Sequence, residues 1–193
     1  MAWVPTLAAK GARPLDVSHL RFRPERSSQG ILHCFVLDCS GSMLAGRRLA
    51  QAKGLLVALF ERIGQARDEV ALVCFGGNRA DTRFGPAIPR WWNERWLMPV
   101  GAGGGTPLLQ GMRHARALLA RAERRNSSQQ RWLWVLTDGR STGLPERPSE
   151  ADRTFVVDFE HGPVRLGRCA MLAQAWDGVY LSPDDLLGES LRT

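Results

Sequence analysis

Four short apolar runs set the strongest limit on what this chain can become: residues 31–37 (ILHCFVL), 69–75 (EVALVCF), 131–137 (RWLWVLT) and 154–159 (TFVVDF). Each has strand length, is rich in β-branched and aromatic side chains, and is bounded by polar or turn-forming residues. None alternates apolar with polar as a strand with one wet face would, so all four read as strands covered on both faces, the condition of a parallel sheet. Between them the period changes. Leu49, Ala52, Leu56, Leu59 or Phe60, and Ile63 recur at helical spacing within residues 46–65, and Leu108, Met112, Ala115, Leu119 and Ala122 do so further on. Strand and helix patterns that alternate along one chain predict an α/β fold, Rossmann-like and doubly wound: a mainly parallel sheet with helices on both faces. Residues 79–84, where Asp81 and Arg83 alternate with smaller or apolar neighbours, add one short antiparallel edge strand. A weaker helix at residues 166–176 and a short strand at Val179, Tyr180 and Leu181 complete the body.

With 193 residues the expectation is one domain, at residues 29–187. Residues 1–28, with Pro5, Gly11, Pro14 and Pro24 and no sustained period, read as an arm or linker, and residues 188–193 as a tail. The formal net charge is +7, and only Lys10 and Lys53 among the 26 basic residues are lysines. No basic run is interleaved with stacking aromatics, so a solvated surface or a protein partner is expected rather than nucleic acid. Cys34, Cys39, Cys74 and Cys169 form no CxxC pair, and two of them lie inside apolar runs, which predicts free buried thiols in a reducing compartment. The start MAWVPTL lacks the basic and apolar regions of a signal peptide, and no stretch is long enough to cross a membrane, so a cytoplasmic protein is expected. Residues 89–99 hold three of the seven tryptophans; Trp92 and Trp96, four apart, would share one face of a short helix, to pack on the core or to meet a partner.

Chemistry concentrates where strands end. The first run leads into Asp38-Cys39-Ser40-Gly41-Ser42, one carboxylate and two hydroxyls at alternate positions. Gly101 to Gly105 hold four glycines and are followed by Thr106-Pro107, a cap residue and a first-turn proline that open the second helix. The third run ends in Asp138-Gly139-Arg140. A parallel sheet gathers the carboxyl ends of its strands on one edge, where such folds bind their ligands. Asp38, Ser40, Ser42, Thr106 and Asp138 would there supply three hydroxyls and two carboxylates, an all-oxygen set suited to Mg²⁺, with Mn²⁺ or Ca²⁺ as substitutes. Such a shell leaves room for an acidic side chain from outside. A nucleophilic serine is the competing reading, but His33 lies inside a strand, His114 on a helix flank, and no G-x-S-x-G elbow exists. The glycine run is a poor dinucleotide fingerprint, and no G-x-x-x-x-G-K-[ST] loop is present. Asp158 and Glu160 read as a solvated strand end, with neighbours of the metal site as the alternative, and His161 as a loop residue.

Asp38-x-Ser40-x-Ser42, the separate Thr106 and Asp138-Gly139 resemble the metal-ion-dependent adhesion site (MIDAS) of von Willebrand factor A (VWA) domains. The resemblance implies that Ser40, Ser42 and Thr106 touch the metal while Asp38 and Asp138 act mostly through water. Ala52-Lys53-Gly54, Arg67-Asp68-x-Val70-x-Leu72, Gly103-Gly104-Gly105-Thr106-Pro107-Leu108, Leu136-Thr137-Asp138-Gly139-Arg140 and Val157-Asp158-Phe159-Glu160 further resemble the carboxy-terminal domain of the magnesium chelatase D subunit, across residues 15–187. What this resemblance implies is a non-catalytic, Mg²⁺-dependent interaction module. Its partners would be an AAA+ ATPase, chelatase I-like, and a large chelatase subunit that inserts Mg²⁺ or Co²⁺ into a tetrapyrrole and supplies the acidic ligand. The ATPase-like domain and acidic linker of that subunit have no counterpart in this sequence, so a free-standing adaptor is expected. The second expectation is an adaptor of a MoxR-type AAA+ chaperone for metalloenzyme maturation.

Overall fold

The computed structural model describes residues 30–77, 79–90, 108–141, 143–162 and 165–188. The chain divides into two units, Met1–Gly30 and Ile31–Thr193, and every element below belongs to the second. The N-terminal arm, the Trp92/Trp96 helix and the Thr106-Pro107 helix start lie outside the described residues.

The apolar runs form the sheet expected of them. Strands β1 (Ile31–Asp38), β2 (Glu69–Gly76), β4 (Gln130–Thr137), β5 (Arg153–Asp158) and β6 (Val179–Leu181) are parallel, and β3 (Arg79–Ala87) is the antiparallel edge, in the order β3-β2-β1-β4-β5-β6. Burial is continuous along β1 and β2 from their second residue because both sheet faces are covered. On one face Cys34, Val36, Val73, Val135 and Val156 pack under α3 (Leu108–Arg125) and α4 (Arg168–Ala175). On the other, Phe35, Leu37, Leu72, Trp134 and Val157 pack under α2 (Arg48–Ala66) and α5 (Pro183–Gly188). The helical stripes named from periodicity are the buried ones: Leu49, Ala52, Leu56, Phe60 and Ile63 of α2, and Leu108, Met112, Ala115, Leu119 and Ala122 of α3. All four cysteines are buried and none is in a disulfide, and burial pushes the Cys34 thiol up to about 12.

Two elements depart from the sequence reading. The stretch after Asp38 is not an open loop: Gly41–Leu44 form one helical turn, α1, and Ala45–Arg47 a 3₁₀ turn before α2. A single turn has too few residues to show a period, so only its contacts reveal it. Helix α5 is also additional, and its signal is a local one. Ser182 and Asp185 exchange hydrogen bonds as a capping box, at 3.3 Å from the Asp185 amide to the Ser182 hydroxyl and 2.7 Å from the Ser182 amide to the Asp185 carboxylate. Pro183 occupies the first helical position.

The α2 side of the sheet carries an aromatic layer with one titratable member. His33, Phe35, Trp132, Trp134 and Phe155 stack across β1, β4 and β5, with the Trp134 and Phe155 rings 4.0 Å apart and nearly parallel. Trp134 Nε1 donates to His33 Nδ1 at 3.3 Å, so the neutral ring carries its proton on Nε2, 3.8 Å from Asp68 Oδ2. Asp68 Oδ1 accepts the Ile31 amide at 2.9 Å and so fixes the start of β1. Burial lowers the His33 pKa to about 4, against the smaller opposing pull of Asp68. In the unfolded chain it titrates at the ordinary 6.5. Below that value the unfolded state takes up a proton the folded state refuses, so stability is present above pH 6.5 and is lost progressively down to about pH 4. The loss is on the order of 3 kcal/mol. Urea titrations of the wild type and His33→Gln across this window should show the difference between the two proteins changing by that amount; a constant difference would contradict it.

Candidate functional site

The sheet reverses its direction of winding between β1 and β4, the adjacent strands from which the chain proceeds to opposite edges. Connections there diverge to the two faces and leave a crevice at the strand carboxyl ends. Asp38 ends β1, and Asp138 directly follows β4, so the two predicted carboxylates flank that crevice.

Asp38 is fully buried. Its Oδ1 accepts the Ser40 amide at 2.8 Å and its Oδ2 accepts the Thr137 hydroxyl at 2.6 Å, which ties the β1 loop to β4. Burial raises its pKa, the bonds from Thr137 and Ser40 pull it down, and the neighbouring negative Asp138 raises it again. Ser40 is the N-cap of α1, but its hydroxyl caps nothing. Instead Ser40 Oγ and Ser42 Oγ lie 3.0 Å apart. The proximity arises at the start of α1, where Ser40 is still extended at φ −63° and ψ 166° and Ser42 already lies in the turn; the helical period itself would set residues two apart on different faces.

Asp138 is 1% exposed. Its Oδ1 accepts the Arg140 amide at 3.2 Å, and its Oδ2 accepts from Arg48 at 3.2 Å. The same Arg48 nitrogen donates to the Ser42 carbonyl at 3.0 Å, and the other guanidinium nitrogen donates to the His161 carbonyl at 3.2 Å. One arginine therefore joins the loops after β1, β4 and β5. Gly139 sits at φ +72°, and a Cβ there would lie 3.1 Å from the Cys169 sulfur, so both the turn and the packing of α4 require glycine.

Of the five residues named from sequence, the structure brings Asp38, Ser40, Ser42 and Asp138 to one crevice, and Thr106 lies outside the described residues. Leu108, the first described residue of α3, is buried and shares a cavity wall with Thr137 and Gly139. Two participants were not read from sequence. Thr137 looked like the last strand residue, although a hydroxyl beside an aspartate at a strand end is a usable signal. Arg48, an arginine at the start of α2, has no sequence signal for such a role, and only the tertiary contacts place it among the acids. Asp158 and Glu160 are not a solvated strand end. Both are buried: Asp158 accepts from Tyr180 Oη at 2.8 Å and from the Glu160 amide at 2.8 Å, and Glu160 accepts the Leu166 and Gly167 amides at 2.7 and 3.1 Å. Their charge is spent on holding the β5–α4 connection and β6.

Among the described residues no three His, Cys, Asp or Glu side chains cluster as a metal site. A cation in this crevice would therefore rest on the serine hydroxyls, with the carboxylates behind them. Asp38, whose two oxygens are both engaged by the protein, suits that rear position, and the oxygen-only character of the set suits a hard divalent ion. Neither serine hydroxyl is hydrogen-bonded to a histidine among the described residues, so the pairing that would activate a serine nucleophile is not formed there.

The profile of the von Willebrand factor type A domain matches residues 34–140, from inside β1 through the Asp138 turn. The chain belongs to the von Willebrand factor A domain family. It is 35% identical to the uncharacterized protein Rv2850c of Mycobacterium tuberculosis, over 88% of this chain and 30% of that protein. It is 36% identical to the magnesium-chelatase 60 kDa subunit of Rhodobacter capsulatus, over 63% of this chain and 21% of the subunit. The magnesium-chelatase 67 kDa subunit of Chlorobaculum parvum is 31% identical over 67% of this chain and 21% of its own length. The chain thus spans between a fifth and a third of the length of these relatives. In fold, this VWA domain is similar to an aerotolerance-related membrane protein from Bacteroides fragilis, with a TM-score of 0.61 and 22% identity over 85% of this chain and all of that one. No helix among the described residues of the VWA domain is long and apolar enough to cross a membrane.

Proposed function

We propose that this VWA domain is a non-catalytic, Mg²⁺-dependent protein-interaction module of a chelatase-like complex, coupling an AAA+ ATPase to a tetrapyrrole metal-insertion subunit. The observation that supports it best is the Ser40–Ser42 hydroxyl pair at the sheet's switch point, backed by buried Asp38 and Asp138, in a chain related to magnesium-chelatase subunits. Ser40, Ser42 and Thr106 would hold the ion, and Asp38 and Asp138 would balance its charge, mostly through water. When bound, the ion supplies a Lewis-acidic position for a carboxylate from the partner. The chain's own residues prepare that position: Thr137 and the Ser40 amide orient Asp38, and Arg48 orients Asp138.

The test is capture of partner proteins from a lysate by the full chain, with Mg²⁺ and with EDTA, followed by identification of what is bound. Wild type should capture a large chelatase subunit and an AAA+ ATPase in Mg²⁺ alone, and Ser42→Ala combined with Thr106→Ala should reduce capture at least about tenfold, as expected for a lost metal ligand set. Capture that survives both the substitutions and EDTA would contradict the coordination. Capture of a MoxR-type ATPase without a chelatase subunit would favour the chaperone adaptor instead.

A further inference from the structure

A groove of about 590 Å³ opens beside the Asp138 turn, between the segment that follows β4 and the start of α4. Its inner wall includes Leu108, Thr137, Cys169 and Leu172, all buried. Its rim is apolar and open: Leu144, Leu166 and Met171 line it with 49%, 50% and 53% of their surface exposed. Three large apolar side chains half exposed around one concavity form a contiguous patch, and such patches mark contact sites rather than ordinary surface. The groove is continuous with the candidate cation site, since Thr137 and Gly139, the neighbours of Asp138 on either side, both line it.

The segments that line the groove carry mostly basic charge. In residues 139–147 and 165–172 the exposed charged side chains are Arg140, Arg147, Arg165 and Arg168, against Glu146 alone. Arg168 lines the groove and is anchored by a 2.7 Å bond to the Ser141 carbonyl. Of the nearby acids, Asp138 faces Arg140 at 3.8 Å and balances it in part, whereas Asp158 and Glu160 are buried and engaged by Tyr180 and by backbone amides, which leaves Arg147, Arg165 and Arg168 as the surface excess. A basic rim around an apolar hollow complements a ligand that is acidic outside and aliphatic at its centre.

We infer that the groove seats an aliphatic side chain from an acidic segment of the partner protein, next to the carboxylate that reaches the cation. This rests on the coordination reading above and adds a second determinant to it: the ion selects for a carboxylate, and the groove selects for what stands beside it. Coordination alone would accept any exposed acid, whereas an apolar pocket at a fixed offset restricts the choice to a sequence.

The test uses fluorescein-labelled peptides of Gly and Ser with one Asp and one Leu, one to five residues apart, read by anisotropy against the full chain in Mg²⁺. At the favoured spacing Leu should bind about tenfold tighter than Ala, the usual effect of filling an apolar pocket. Leu144→Glu with Met171→Glu, both at half-exposed positions that the fold tolerates, should abolish the preference for Leu without altering the requirement for Asp. Equal binding of Leu and Ala peptides at every spacing, a preference that survives the double variant, or no peptide binding at millimolar concentration each overturns the groove. A concentration-dependent dimer that the double variant dissociates also overturns it, in favour of a second copy of this chain. A leucine preference that persists in EDTA supports the groove and counts against coordination, so the two failures are separable.

Discussion

Asp38→Asn should yield a protein that is more stable than the wild type in EDTA and no longer responds to Mg²⁺. The carboxylate is fully buried, and desolvation is the largest influence on it, so its ionised form costs more in the fold than in the unfolded chain. Asparagine has the same shape. Its carbonyl can accept the Ser40 amide, and the Thr137 hydroxyl can turn to accept from its NH₂ group, so both ties of the β1 loop survive. Removing the buried charge should stabilise by about 1–2 kcal/mol, or roughly 2–8 °C in Tm for a domain of this size. On the proposed coordination the wild type should gain stability on adding Mg²⁺, by on the order of 3 kcal/mol at a hundredfold excess over Kd, because an ion held by these loops would bind the folded state alone. The variant lacks the charge that balances the ion and should gain none. Thermal melts of both proteins in EDTA and in Mg²⁺ provide all four values; a variant that melts lower in EDTA, or still rises with Mg²⁺, would contradict the role given to Asp38.

Trp134→Ala should be the most damaging single change in the aromatic layer, with a loss of about 3–5 kcal/mol. The indole is 7% exposed, stacks on Phe155 at 4.0 Å and on Phe35 at 5.7 Å, and donates to His33. Alanine leaves a cavity between β1, β4 and β5 and takes the donor from His33. Urea unfolding should show the midpoint fall with little change in slope, and the near-ultraviolet dichroism of the aromatic stack should weaken. A loss below about 1 kcal/mol would mean that Trp132 and Phe155 collapse into the space.

These two residues also show how legibility differs along the chain. Trp134 sits in a run whose uniform apolarity already announced a doubly covered strand, because a side chain on either face of a parallel sheet must be apolar. The helical stripes of α2 and α3 were equally plain, since an amphipathic helix repeats its signal over several turns. The candidate site was legible in part. Asp38, Ser40, Ser42 and Asp138 stand at strand ends, and a parallel sheet collects strand ends, so their convergence follows from the order of elements. Arg48 and Thr137 did not announce themselves: an arginine at the start of a helix and a threonine at the end of a strand have many ordinary roles, and their roles here depend on partners 90 and 99 residues away.

The carboxylates after β5 make the same distinction. Asp158 and Glu160 carry the same charge as Asp38, stand at an equivalent strand end and are buried as it is, yet their partners are Tyr180 and the amides of Leu166 and Gly167 rather than Thr137 and the Ser40 loop. By itself the sequence determined the doubly wound sheet, its edge strand, the covering helices α2, α3 and α4, and the crevice edge where acids and hydroxyls meet. Those properties follow from local period and strand order. Only the tertiary structure decided which partners each buried acid takes, how Arg48 binds three loops, and where Leu144, Leu166 and Met171 leave a groove open. Each of these is set by side chains far apart in sequence competing for the same hydrogen bonds and the same volume, a competition that no local pattern records.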